Sequence, residues 1–245
     1  LTDGLEGRDL SDAKKARRAI ARSDWLIIAA VLFILLTTVA MIFYPGSNSW
    51  TNQATHYSFA QNFFSDLGAT STYNNQANTV SNVLFILALV VVGSGVAIFS
   101  FNSMVIADVR GRMRSVAKAS IPVAMISGLG FTGVAAAPWN LALGVHVVSV
   151  QVAFGFLLIF VILFTILQFA NGWSRLYEIS NLVYMVLLAA YLVLLFFGPD
   201  IFTLTGLTTQ AVGQKIIVYA SIVNIAVQAY GVRKAVILSG AREAA

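Results

Sequence analysis

The chain has 245 residues, of which 58% are hydrophobic and only 10% charged. A soluble domain carries about 25% charged residues, so this chain lacks the polar coat that facing water on all sides requires. It has no cysteine, which excludes disulfides, thiolate metal sites and cysteine nucleophiles, and its net charge of +5 reads as the basic flanks of membrane spans rather than as a nucleic-acid footprint.

The first 24 residues hold Arg8, Lys14, Lys15, Arg17, Arg18 and Arg22. Ser11–Arg22 predicts a basic helix with Ser11 as N-cap, placed to fix topology or to touch anionic headgroups. Trp25–Tyr44 is too long for the core of a signal peptide and reads as a first span. A polar loop, residues 45–79, follows. In it Phe59, Phe63, Phe64 and Leu67 recur every three or four residues, predicting an amphipathic interfacial helix over 57–67. The second span is Val80–Phe101. The third, Ser120–Ala137, carries small residues at every fourth position, Ser120, Ala124, Gly128, Thr132 and Ala136, which predicts close helix approach and a central place. Pro138-Trp139-Asn140 turns the chain into the fourth span, Asn140–Phe169. The fifth, Asn181–Gly198, stops at Gly198-Pro199-Asp200. The sixth, Val212–Val232, holds Ala220, Asn224 and Gln228 on one ridge, and two amides at that depth predict interior contacts between helices.

The expected fold is therefore all-α: an integral membrane bundle of six transmembrane helices. It divides into a basic segment 1–24, a membrane domain 25–232 and a tail 233–245. Fourteen of the fifteen Lys and Arg residues fall on one face of this layout, and only Lys215 falls on the other. The positive-inside rule puts both termini in the cytoplasm of a multi-pass cell-membrane protein and the 45–79 loop outside. No span carries a charge in its central part. That argues against ion-coupled transport or proton pumping, where intramembrane acids and bases do the work.

Polar chemistry gathers on the outer face. His56 and His146 are the two histidines, and Asp66 is the sole acid between residues 25 and 107. Topology puts both histidines, Ser65 and Asp66 at one side of the membrane. A His56–Asp66–His146 set suits a zinc with an open water position, and Ser65 with a histidine base suits acyl transfer. Either would make an outer-face lipid hydrolase or transferase. The opposing reading is a structural cluster, or a lipid-headgroup pocket, in which Asp66, Asn78, Asn82, Asn140 and His146 bind a ligand without reaction. No H-E-x-x-H or G-x-S-x-G spacing is present. The balance falls on a non-catalytic protein, with no metal and no cofactor assigned. Its expected partners are membrane lipids and other membrane-protein subunits, with no nucleic acid.

Two stretches, "NFFSDLGATSTYNNQANTVSNVLFILALVVVGSG" and "GLGFTGVAAAPWNLALGVHVVSVQVAFG", resemble landmarks of the family designated domain of unknown function 998. The layout is also similar to the eukaryotic DRAM and Sfk-type membrane proteins. The resemblance covers Trp25 to about Val232. It implies a six-helix membrane protein without an established reaction, with Ser65, Asp66, Gly68, Pro138, Asn140 and His146 as signature residues. It also implies, by analogy with the eukaryotic proteins, lipid handling and membrane organisation. Asn140 stands where many members carry Asp, which removes a metal-ligating carboxylate.

Overall fold

A computed structural model describes residues 2–108 and 111–243. Seven α-helices lie among them: α1 (Thr2–Phe43), α2 (Thr79–Phe99), α3 (Asn102–Asp108), α4 (Arg114–Ala136), α5 (Trp139–Asn171), α6 (Arg175–Phe197) and α7 (Leu204–Glu243). No strand forms among the described residues; a single bridge pairs Ser71 with Ala77. Six stretches are long and apolar enough to cross a membrane, in α1, α2 continuing through α3, α4, α5, α6 and α7. α1 begins at Thr2, upstream of the predicted cap at Ser11, and runs unbroken through the basic segment into the apolar run.

The six long helices pack in chain order as a ring. α1 lies against α2, α2 against α4, α4 against α5, α5 against α6, α6 against α7, and α7 closes on α1. Chain order suffices because each connection reverses the chain, and all but the long α1–α2 loop are short, so neighbours in sequence become neighbours in space. Large apolar side chains cover the outside, with Leu129, Val145 and Val186 each more than 60% exposed. In an apolar solvent this is the expected coat.

No helix occupies the centre, so α4 is a wall member rather than the hub its glycines predict. The small residues instead bring it close to both neighbours. A Cβ on Gly128 would stand 2.6 Å from the Gly93 carbonyl of α2, and one on Gly130 would stand 2.6 Å from the Ala153 amide of α5. Thr132 and Ala136, also on the predicted ridge, are exposed.

Aromatic side chains fill the lumen instead. Phe99, Phe160 and Phe164 pack ring to ring, as do Phe131, Phe154 and Tyr191. Two narrow cavities of about 60 and about 20 Å³ lie there, lined mostly by apolar residues, with Ser65, Gln214 and Ser221 at the larger and Asn181, Asn224 and Gln228 at the smaller. Toward the end that carries the basic residues, amides tie α5, α6 and α7 together. Asn224 donates to Asn181 Oδ1 at 2.9 Å, Asn181 to Gln168 Oε1 at 2.9 Å and Gln168 to Gln228 Oε1 at 2.8 Å. This chain of bonds meets the polar demand that burial imposes. Arg233 pairs with Asp24 at 2.9 Å and fastens α7 to α1 at the same end.

Candidate functional site: a fastened cap and an open recess

The loop between α1 and α2 folds across the opposite end of the ring. Its only helical piece is a five-residue 3-10 helix, Phe64–Gly68, where sequence periodicity predicts a longer amphipathic helix over 57–67. The polar residues decide the difference. Asn62 Oδ1 accepts from the Ser58 amide at 2.9 Å, and Asp66 Oδ2 accepts from the Phe63 amide at 2.9 Å. Side chains that take backbone donors favour turns over continuous helix. The short helix touches α1, α2, α5 and α7, so it plugs the lumen.

Asn62 is the hub of this cap and is fully buried. Its Nδ2 donates to Asp66 Oδ2 and to the Ser47 carbonyl, both at 2.9 Å. Its own carbonyl accepts from Lys215 Nζ and from the Tyr57 hydroxyl. Lys215, on α7, is 1% exposed, donates also to the Ala211 carbonyl at 3.3 Å, and lies over the rings of Tyr57 and Phe59 at 5.3 and 5.2 Å. The neighbouring Gln214 accepts from the Phe64 amide at 2.6 Å. A buried ammonium survives where carbonyl oxygens and ring faces replace water. Asn62 thus stands between the loop's acid and the one basic residue at this end.

Asp66 is 2% exposed. Oδ2 is taken by Asn62 and Phe63, and Oδ1 accepts from the Tyr73 hydroxyl at 3.3 Å. Burial pushes its carboxyl from 3.8 up to about 6, against the pull of those hydrogen bonds and of Lys215. Burial, and then the Asp66 charge, hold the Tyr57 and Tyr73 phenols well above their usual range.

The other sequence candidates divide between this cap and its surroundings. Asn78 Nδ2 donates to the Leu67 and Ala69 carbonyls at 3.1 and 2.8 Å, and Asn82 Nδ2 to the Gly68 carbonyl at 2.6 Å. Asn140 accepts from the Thr70 amide at 3.1 Å and donates to the Thr70 hydroxyl at 2.8 Å. Asp66, Asn78, Asn82 and Asn140 therefore converge on residues 62–70 and bond to that segment. Ser65 is half-buried and lines the upper lumen cavity. His146 lies apart, with Nδ1 at 2.8 Å from the Ala137 carbonyl that ends α4. A break in helical geometry at Ala142 shapes this first turn of α5. His56 is exposed, and among the described residues its ring bonds only the adjacent Thr55 hydroxyl, at 3.5 Å. Among the described residues, no three His, Asp or Glu side chains gather closely enough to hold a metal ion.

Sequence reasoning passed over Asn62, Gln214 and Tyr73. It marked Lys215 as the odd basic residue of the outer face without pairing it to the loop. Its isolation was the available signal, since a lone cation opposite a lone acid is a candidate contact.

No family model, curated protein or solved structure matches this chain.

The basic end is built differently. Between the α5–α6 turn and the last turns of α7 lies a recess of about 440 Å³, within the size range of small-molecule sites. Gly172, at φ 67, takes the left-handed conformation that ends α5 and turns the chain. Trp173, Ser174 and Leu176 line one wall, Lys234 and Leu238 the other, and Asn171 is part of the lining.

Proposed function

We propose that this chain is a non-catalytic, lipid-binding protein of the cell membrane, standing with both termini in the cytoplasm and the cap outside. The observation that carries the reading is the recess at the basic end. It joins apolar walls to a cation and hydrogen-bonding groups, which is the chemistry of an amphiphile's headgroup and first methylenes. The cap supports the same reading from the other side. Its acid and amides are committed to holding the loop, and neither histidine has the acid as a bonded partner. Kinship with the domain of unknown function 998 family is part of the proposal. It rests on the two quoted stretches, and it gains from their contact: Asn140 bonds Thr70, and Trp139 packs on Tyr73 at 4.9 Å.

Native mass spectrometry from mild detergent tests the lipid reading. Chains are expected to fly with one phospholipid attached; uniformly bare chains, under conditions where other membrane proteins keep theirs, count against it. Orientation is tested separately. With no native cysteine, a single His56→Cys variant is expected to react with an impermeant thiol reagent on intact cells, and Lys234→Cys only after lysis. The reverse pattern would invert the topology.

A further inference from the structure

We propose that the outward face of α5 pairs with the same face of a second copy of this chain, making a parallel, two-fold dimer within the membrane. The observation that carries it is Gln151. Its side chain is half-buried and has no hydrogen-bond partner among the described residues. Every other Asn or Gln of the six spans makes a side-chain bond within the fold. Gln151 lies about 18 Å along α5 from its Trp139 start and about 30 Å from its Asn171 end, at 1.5 Å per residue. The hydrocarbon layer is about 30 Å thick, so any placement of that layer along the helix encloses this amide. Neither water nor an acyl chain is there to bond it, and an amide left unpaired in hydrocarbon is costly.

Its neighbours on the helix show which way it faces. Val147 and Val148, one turn before it, are 39% and 56% exposed, and Ile162, three turns on, is 38% exposed. Gly144 and Gly155 lie on the same face, and a Cβ built on either would meet no atom within 4 Å. The chain's own packing therefore does not call for glycine at these two positions, where glycine weakens a helix. The close approach of a second helix does call for it.

A second copy is the occupant that the pattern fits. Gly144, Val148, Gln151, Gly155, Leu158 and Ile162 are spaced alternately by four and three, the seam of a parallel, left-handed helix pair. Two copies in one membrane share an orientation. A two-fold axis between them stands along the membrane normal and sets each seam residue opposite its own counterpart at one depth. A glutamine carries both donor and acceptor, so the two amides exchange Nε2–H···Oε1 bonds. A single polar residue in an apolar seam also sets register and oligomer state. A different protein would need its own polar side chain at this depth.

With no native cysteine, single cysteines report the pairing in the full chain. Val148→Cys in native membranes under mild oxidation is expected to give a disulfide-linked dimer. Val186→Cys, 68% exposed on α6, is expected to stay monomeric. Affinity is read in phosphatidylcholine vesicles by energy transfer between chains labelled at His56→Cys, over a series of protein-to-lipid ratios. Gln151→Leu is expected to weaken the dimer about tenfold, the size of an interhelical hydrogen bond in a membrane. Gly155→Leu is expected to abolish it by holding the backbones apart. Nothing surrounds the Gly155 Cβ position, so that variant is expected to keep the thermal midpoint of the monomer.

Energy transfer no greater than chance proximity gives, or equal cross-linking at Val148→Cys and Val186→Cys, overturns the dimer. A dimer undiminished by Gln151→Leu overturns the assignment to this face. A benzophenone attached at Val148→Cys that links only to a different membrane protein overturns the second copy as occupant. Lipid binding is untouched by any of these results.

Discussion

The two ends of the ring treat polar groups in opposite ways. At the capped end, Asp66, Asn62 and Lys215 are all buried and bonded within one network. At the basic end, Lys234 stands exposed and Asn171 Oδ1 is buried without a partner among the described residues. Stability comes from the first arrangement, because Asp66, Asn62 and Lys215 meet partners formed by the fold itself, although Asn78 Oδ1 and Trp139 Nε1 beside them are buried without a partner among the described residues. The second leaves a demand that something else must meet.

That contrast breaks first at the hub. Asn62→Leu would strip partners from the Ser58 amide, the Ser47 carbonyl and Asp66 at once. The expected loss is about 3–5 kcal/mol, as for removing one member of a buried charged network. It is read as a fall in thermal midpoint in detergent and as rapid proteolysis of the 45–78 loop. If the loop stays resistant, Asn62 is not its hub. Lys215→Met keeps the length of the side chain but removes the donor to the Asn62 carbonyl. A loss of about 2–3 kcal/mol is expected, smaller because Tyr57 still bonds the same oxygen.

The pH dependence sharpens the comparison. The Asp66 carboxyl titrates near 6 when folded, above its ordinary 3.8. A raised carboxyl favours the protonated folded state, so its stabilisation is full below about pH 4 and is lost as pH rises through 6. The change is on the order of 3 kcal/mol at most. Asp66→Asn should flatten that slope in a melting series from pH 4 to 7, and an unchanged slope assigns it elsewhere. The smallest effect belongs to the basic end. Lys234→Ala is expected to move stability by less than about 0.5 kcal/mol while altering lipid retention.

The spans were legible because run length and charge asymmetry are local signals that the bilayer imposes directly. All six predicted segments lie within or overlap the long helices. Helix ends were less legible: α1 reaches back to Thr2 because the basic residues interrupt hydropathy without interrupting helical propensity. The loop was misread as a helix because Phe59, Phe63 and Phe64 have helical spacing, whereas Asn62 and Asp66 pull the backbone into turns. In the site, rarity drew attention to His56 and His146, yet one is exposed and the other fastens a hairpin. Asn62 and Lys215, 153 residues apart, meet only through ring closure. No pattern in either segment alone encodes that meeting.

The closing of the ring by its final member also orders events during synthesis. The loop leaves the ribosome early, but the Phe64 amide must wait 150 residues for Gln214. Until α7 inserts beside α1, Asp66 lacks its neighbouring ammonium and the lumen has an unsealed flank. A nascent chain arrested before that helix would show quality-control machinery a loose loop and a gap, so completeness of translation is written into how tightly the far side is shut.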